Sequence, residues 1–375
     1  MCVDTEGGRV DTWPNIQGAV TMKYQVKVEP SGDVFEVEEG QAILDAALRS
    51  GVYLPHACSH GVCSACKIMV AGGEVDIGEA SPFALLDEER ADGLALACCA
   101  MPLADLVIEA DVENEPDAEF RRVGDFQAVV TRIHDIAPRI RSIFLAVTGD
   151  GLQFQAGQYI NLAIPGLDGA PRAFSIASPP SSRNVIELNV ALIEGGEVTH
   201  YLHNALQVGE VLSVSGPHGR FYVRKSLPES IIFLAAGSGL SGVKSMVMDL
   251  LENNDPRPIT LIYGAHNEQE VYYWDLFEQY AREHANFTLL LAVSGNASPS
   301  SDDEPWNCLQ ELLLDHFDGK FEGYNAYVCG SPSMVDNCVA TLMRGRCFEK
   351  HLFVEKFYNY SHRSGSSKHA VFKHL

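Results

Sequence analysis

Positive charge is what this chain of 375 residues has least of. Twenty-seven Lys and Arg stand against 50 Asp and Glu, a formal net charge of −23 with His neutral. Such a deficit argues against nucleic acid and anionic membrane surfaces as partners, since both are bound through basic patches. No stretch reaches the roughly 20 apolar residues of a membrane span. Residues 1–21 hold Asp4, Glu6, Arg9 and Asp11 and lack the apolar core of a signal peptide. They also lack a periodic apolar pattern, and are expected to be an extension that is disordered or not naturally translated. The ten cysteines are therefore expected in a reducing cytoplasm, where clustered Cys signals metal rather than disulfide.

The charge is uneven. Residues 22–115 carry five basic and eighteen acidic side chains, a net −13. A length of 375 suggests two or three domains, and 46% apolar residues can fill several cores. A small acidic module, 22–113, thus precedes a milder body. The acidic "DVENEPDAEF" at 111–120, with Pro116 inside it, contains the start of a linker placed at 114–122.

Within the module, Tyr24–Val28 and Val34–Val37 alternate around a Pro-Ser-Gly turn and predict a hairpin. "AILDAALRSG" has helical spacing closed by Gly51. Cys58, Cys63 and Cys66 then follow in the order C-x4-C-x2-C, the plant-type [2Fe–2S] spacing, which demands a fourth Cys. Short neighbours and Gly61 let backbone N–H groups point at the sulfurs. Adjacent Cys98 and Cys99 supply the candidates. Neighbours on a strand face opposite ways, so only one can reach the cluster, and alternation leaves open which. A structural zinc would want two C-x2-C pairs, and only one exists. A Rieske centre would want a later C-x2-H, which the chain lacks. His60 therefore reads as a solvent-facing loop residue.

From about 123 the pattern changes to short β-runs broken by Gly and Pro: "FQAVV", "IRSIFLAV", "GQYINLAIP", "RAFSIAS", "VIELNVALI" and "EVLSVSG". They predict an antiparallel barrel. In "RAFSI", Arg172, Phe174 and Ile176 share one face with Ser175 opposite. An Arg fork clamps phosphate and an aromatic ring packs on a flat cofactor. "EGGEVTHYLHNAL" is a Gly turn feeding a helix, with Thr199 as its cap, suited to a pyrophosphate. Further on, strand Ile231–Leu234 runs into Gly237-Ser238-Gly239 and a helix, a phosphate-binding unit. "ITLIYGA", "FTLLLAV" and "NAYVCG" alternate with helical segments, predicting α/β with a parallel sheet. Cys329 ends one strand, where such sheets bind ligands.

With these three signals in order, the chain resembles the reductase components of bacterial multicomponent oxygenases, over about 24–375. The resemblance is to the phenol hydroxylase branch, whose oxygenase is a soluble di-iron monooxygenase. "GEVDIGEASPFAL" (73–85), "LACCAMPLADLVIEADV" (96–112), "GQYINLAIPG" with "RAFSIASPP", "GSGLS", "CGSPSM" (329–334) and "EKFY" (355–358) carry it. It implies a multidomain α+β and α/β protein: a β-grasp [2Fe–2S] ferredoxin domain, an antiparallel β-barrel FAD domain at 123–226, and an α/β nicotinamide-binding domain at 227–375. It implies Cys58, Cys63, Cys66 and Cys98 as cluster ligands. Arg172, Phe174 and Ser175 match the flavin motif, Thr199 the pyrophosphate turn, and Gly237, Ser238 and Gly239 the nucleotide loop. Cys329 and Phe357 fall where the nicotinamide and flavin rings meet. Two positions depart from the pattern. Val243 replaces a usual Pro, and His266 replaces Arg in "YGAR". With Glu268 nearby and no basic cluster, NADH is favoured over NADPH.

The implied function is electron transfer from NADH through FAD and the [2Fe–2S] cluster to an oxygenase, by a cytoplasmic monomer. NADH gives two electrons as a hydride, the cluster takes one, and flavin handles both regimes. The chain is not itself the oxygenase: a di-iron site needs two E-x-x-H helices, and only Glu197–His200 matches. The alternatives are the reductase of a Rieske-type dioxygenase or another oxygenase, and a nicotinamide-independent carrier or redox sensor. The net −13 of the module is expected to steer it to a basic patch on its oxygenase.

Overall fold

Alternation shapes the first unit of the computed structural model, which describes residues 22–358 apart from 111, 113–116, 165–166, 168–170 and 295–306. The expected extension 1–21 and part of the linker lie outside the described residues. In β1 (Lys23–Glu29), Val26 and Val28 are buried while Lys23, Gln25 and Lys27 face water; β2 (Val34–Glu38) buries Phe35 and Val37. Helix α1 (Ile43–Ser50) covers them with Ile43, Leu44, Ala47 and Leu48. There follow β3 (Lys67–Gly72), β4 (Val75–Asp76), α2 (Asp87–Ala91), β5 (Leu94–Leu96), β6 (Met101–Pro102) and β7 (Leu106–Glu109). The sheet order is β2-β1-β7-β3-β5, with β1 and β7 parallel at its centre. That is the expected β-grasp.

The six β-runs of the body become six strands: β8 (Gly124–Ala137), β9 (Ile140–Val147), β10 (Tyr159–Ala163), β11 (Arg172–Ser175), β12 (Val185–Ala191) and, after α3 (Glu197–Asn204), β13 (Val211–His218). Their order is β11-β10-β13-β8-β9-β12, antiparallel throughout. A bridge from Ile176 to Leu188 joins the two ends and closes the barrel. Closure removes the free edges that an open sheet would expose. Val130, Ile143, Ile160, Leu188 and Val214 fill the interior.

The third unit alternates strand and helix: β14 (Ser230–Ala236), α4 (Leu240–Glu252), β15 (Ile259–Ala265), α5 (Trp274–Glu283), β16 (Phe287–Val293), α6 (Asn307–His316), β17 (Tyr324–Gly330), α7 (Pro332–Arg344) and β18 (Leu352–Lys356). All five strands run parallel in the order β16-β15-β14-β17-β18. Burial on both faces explains the unbroken apolar runs of β14 and β15. Strand order reverses between β14 and β17, which opens a crevice at their C-terminal ends.

The units are joined in different ways. A buried ion pair couples the barrel to the α/β unit: Lys244 Nζ of α4 lies 2.7 Å from Glu187 Oε2 of β12, with side chains only 5% and 6% exposed. Ser142 and Tyr273 donate to the same carboxylate, and Lys244 also donates to the Ala177 carbonyl at 3.1 Å. Burial alone would push Glu187 up, but the Lys244 charge and these donors hold it below its ordinary range. The ferredoxin unit meets the barrel through a bidentate Arg49–Asp125 pair at 2.7 and 3.0 Å on the surface. Residues 117–123 stitch the units together: Asp117 binds Ser226, and Phe120 packs on Tyr53 with ring centres 4.5 Å apart. Replacing Glu187 by Gln strands a buried ammonium and should cost about 3–5 kcal/mol. Urea denaturation followed by fluorescence measures it, and the double change Glu187→Leu with Lys244→Met should recover most of the loss.

Candidate functional site

The cysteine loop at 57–66, between α1 and β3, has no regular hydrogen-bonded structure of its own. Ser59, Gly61 and Ser64 adopt positive φ of 55°, 74° and 63°, which turns successive N–H groups toward one side. The His60 amide points at Cys58 Sγ at 3.4 Å and the Cys58 amide at Cys63 Sγ at 3.5 Å. The thiols fall into two pairs, Cys58 with Cys63 and Cys66 with Cys98. The Cys63 thiol, then the amides of His60 and Val62, bring Cys58 down to about 6. Two dithiol pairs in one loop region fit a binuclear iron cluster, which takes two thiolates at each iron.

Cys98 and Cys99 do not obey strand alternation. β5 ends at Leu96, and residues 97–99 form a turn in which the Cys99 amide donates back to the Leu96 carbonyl at 2.9 Å. The premise that one residue must face away fails because the backbone has already left the strand. The two sulfurs lie 3.7 Å apart. What separates them is their other neighbours. Cys98 bonds to Cys66, whereas Cys99 Sγ reaches the Glu79 carbonyl at 3.7 Å. A Cβ on Gly61 would stand 2.6 Å from Cys99 Sγ, so Cys99 walls the loop and Gly61 must stay small. His60 is half-buried, and its Nδ1 bonds to the Cys58 carbonyl of its own loop.

In the barrel, β10 and β11 pair Tyr159 with Ser175, Ile160 with Phe174 and Leu162 with Arg172. Ile160 and Ile176 are fully buried in the barrel core and Phe174 packs against it, so Ser175 faces outward as alternation predicts. Arg172 is half-buried at the start of β11. Beside them Asn161 Oδ1 is buried without a partner. An orphaned acceptor of this kind costs free energy until a donor arrives, and a flavin with its N–H and hydroxyl groups brings such donors. Thr199 is not the helix cap. α3 starts at Glu197 with Gly196 as its N-cap, and the Thr199 hydroxyl instead closes the preceding turn onto Ile193 N at 3.1 Å. The first turn's N–H groups still emerge beside it.

At the crevice of the third unit, Gly237, Ser238 and Gly239 form one tight helical turn leading into α4. A Cβ on Gly239 would stand 2.4 Å from the Cys329 carbonyl, so only glycine lets this turn approach β17. Cys329 is fully buried at the end of that strand, paired in register with Glu355 of β18. Its Sγ lies 3.9 Å from Glu355 Oε2, and the same carboxyl bonds to Ser175 of the barrel. Phe357 is anchored next to them, its amide donating to the Gly330 carbonyl at 2.9 Å. Ser175, Cys329, Glu355 and Phe357 thus converge from two units. Burial pushes Glu355 up to about 8, against the pull of its bonds to Ser175 and Cys329; burial likewise raises Cys329. Glu355 is the residue that sequence reasoning missed. Its signal was its place two residues before Phe357 in "EKFY".

The comparisons bear on this arrangement in chain order. The family model of the 2Fe-2S iron-sulfur cluster binding domain matches residues 26–103, that of the oxidoreductase FAD-binding domain 127–222, and that of the oxidoreductase NAD-binding domain 233–340. The reductase component of phenol 2-monooxygenase, DmpP, from Pseudomonas sp. (strain CF600) is 49% identical over 94% of this chain and 100% of its own. The phenol hydroxylase P5 protein of Acinetobacter pittii (strain PHEA-2) is 46% identical over the same shares. Among solved structures, the Amycolatopsis cytochrome P450 reductase GcoB superposes with a TM-score of 0.79 at 31% identity, over 89% of this chain and 98% of that one. Three units of this kind pass electrons from a nicotinamide nucleotide through FAD and a [2Fe–2S] cluster to an oxygenase, as expected from the sequence. The chain belongs to the family of iron–sulfur flavoprotein reductases that serve as reductase components of multicomponent oxygenases.

Proposed function

We propose that this chain is the NADH-dependent reductase of a phenol-hydroxylase-type di-iron monooxygenase and works as a cytoplasmic monomer. Its proposed divisions are a ferredoxin domain at 22–113, a linker at 114–122, an FAD domain at 123–226 and a nicotinamide domain at 227–375. The carrying observation is the convergence of Ser175, Cys329 and Glu355, contributed by the barrel and the α/β unit, beside a barrel strand that also touches the cysteine loop. The identity of 49% and 46% with two phenol-oxidising systems supports the choice of partner. Glu268, and the absence of Arg and Lys from the sequence between Ala265, where β15 ends, and Glu270, leave a 2′-phosphate little support there, which favours NADH.

Cys58, Cys63, Cys66 and Cys98 hold the cluster, which when bound accepts and passes on one electron at a time. Arg172 and the α3 N-terminus beside Thr199 hold the FAD phosphates, with Phe174 and Ser175 along the ring. Gly237, Ser238 and Gly239 seat the nicotinamide nucleotide at the start of α4. Cys329 and Phe357 wall the space between the two rings and exclude water. Glu355, pushed up to about 8 by burial, accepts from Ser175 and from the Cys329 thiol and ties the barrel to the α/β unit.

Three outcomes test this reading. Cys98→Ser should lose iron and cluster absorbance while retaining FAD, and Cys99→Ser should keep both; iron analysis of the purified variants decides. The Glu355 carboxyl binds its proton more tightly when folded, with a pKa of about 8 against 4.5 in the open chain. Its contribution to stability is therefore largest at low pH and is lost as pH rises from about 4.5 to 8. Melting temperatures of flavin-free protein between pH 6 and 9 should fall more for the native chain than for Glu355→Gln. Finally, electron delivery to the oxygenase should drop steeply between low and high salt, because charge steering is screened over about 8 Å at physiological ionic strength. NADH reduction of a small acceptor served by FAD should barely change over that range.

A further inference from the structure

Tyr159 bridges the barrel and the cysteine loop of the ferredoxin unit. It lies in β10 of the barrel and is 4% exposed. Its hydroxyl donates across the domain boundary to Ser59 Oγ at 2.8 Å and lies 3.4 Å from the Ala57 carbonyl, so its two contacts flank Cys58 in sequence. On one side its backbone is paired with Ser175, and on the other with His218. The His218 ring stacks on the phenol at 5.4 Å with 22° between planes. A Cβ on Gly219 would stand 2.8 Å from the Tyr159 ring and 4.0 Å from Glu355 Oε1, so that glycine lies between the ring and the carboxyl. Packed on these sides, the ring is held in one place, and its hydroxyl sits at a defined point of the cysteine loop.

We infer that Tyr159 is the positioning residue for electron transfer between the flavin and the cluster, holding the Cys58 loop against the barrel through Ser59. This rests on the proposed placement of FAD beside Ser175 and of the cluster on Cys58. The rate of a one-electron transfer falls steeply with separation, so the contact that sets the spacing also sets the rate. From Ser175 to Ser59, the chain neighbour of Cys58, the connection is one strand pairing, one ring and one hydrogen bond. The Arg49–Asp125 pair also joins the units, but it is exposed at 30% and 49%, and surface pairs contribute little to holding a geometry. In the step itself one electron leaves the reduced flavin and enters the oxidised cluster. Tyr159 changes neither its oxidation state nor its protonation.

The test is anaerobic stopped-flow of the holoprotein with NADH, following flavin bleaching and cluster reduction separately. Tyr159→Phe keeps the ring and its packing and removes the hydroxyl with its contacts to Ser59 and Ala57; Ser59→Ala removes the 2.8 Å bond from the other side. Both should keep full FAD and iron, the native spectrum of the reduced cluster, and the native rate of flavin reduction. Cluster reduction should slow by about tenfold, the effect of losing one hydrogen bond from a docked geometry. Ferricyanide, served by the flavin, should be reduced as before, while cytochrome c, served by the cluster, should be reduced about tenfold more slowly. An unchanged cluster rate in both loaded variants overturns the inference. So does a parallel fall in flavin reduction, which would make Tyr159 part of the flavin seat. Failure of the underlying reading looks different: NADH would then not reduce the cluster of the native protein at all.

Discussion

The pairing of Tyr159 with Ser175 across β10 and β11 is the constraint on which the working arrangement depends. A hydride donor and a one-electron acceptor must both come within reach of one cofactor, and they belong to units with separate cores. The barrel meets this demand by turning two neighbouring side chains outward from adjacent strands. Ser175 bonds to Glu355 of the α/β unit, and Tyr159 to Ser59 of the ferredoxin unit. Their register is enforced from inside, because Ile160 and Phe174, the next pair along, pack in the barrel core. A slip of one residue would turn both contacts inward.

The two interfaces differ in how strongly they are held. Between barrel and α/β unit, Lys244 and Glu187 are desolvated and ringed by Ser142, Tyr273 and the Ala177 carbonyl. Such a pair tolerates no sliding, since any movement leaves a buried charge unpaired. The ferredoxin unit is attached by an exposed Arg49–Asp125 pair, the contact of Phe120 with Tyr53 and the Tyr159 bond. The junction beside Ser175 and Cys329 is therefore fixed in shape, while the acidic unit is held by more exposed contacts.

Close backbone approach, enforced by glycine, does the rest. Gly239 lets the turn at 237–239 touch the end of β17, and Gly61 lets the cysteine loop touch Cys99. In both places a methyl group would collide with its neighbour, and the two segments would move apart. The fully buried Cys329 shows the same economy of space: its thiol fills the gap behind Glu355 without bringing a charge.

Most of the fold was legible because its signals are local. Alternation in β1 and β2, six β-runs for six barrel strands, and apolar runs for β14, β15 and β17 all depend on near neighbours, and so does the C-x4-C-x2-C spacing. The order of the three units and the cofactor each takes followed from those signals and the resemblance they carry. What only tertiary structure decided depends on contacts between distant residues. The neighbours that differ between Cys98 and Cys99, Cys66 for one and the Glu79 carbonyl and Gly61 for the other, came from the turn at 97–99, which breaks the alternation. Thr199 lost its place as a cap because the helix begins two residues before it. Glu355 acquires its raised pKa from burial, against the pull of Ser175 and Cys329, and Tyr159 meets Ser59, one hundred residues away. Periodicity reports which face a residue takes; only the packed chain sets what stands opposite that face.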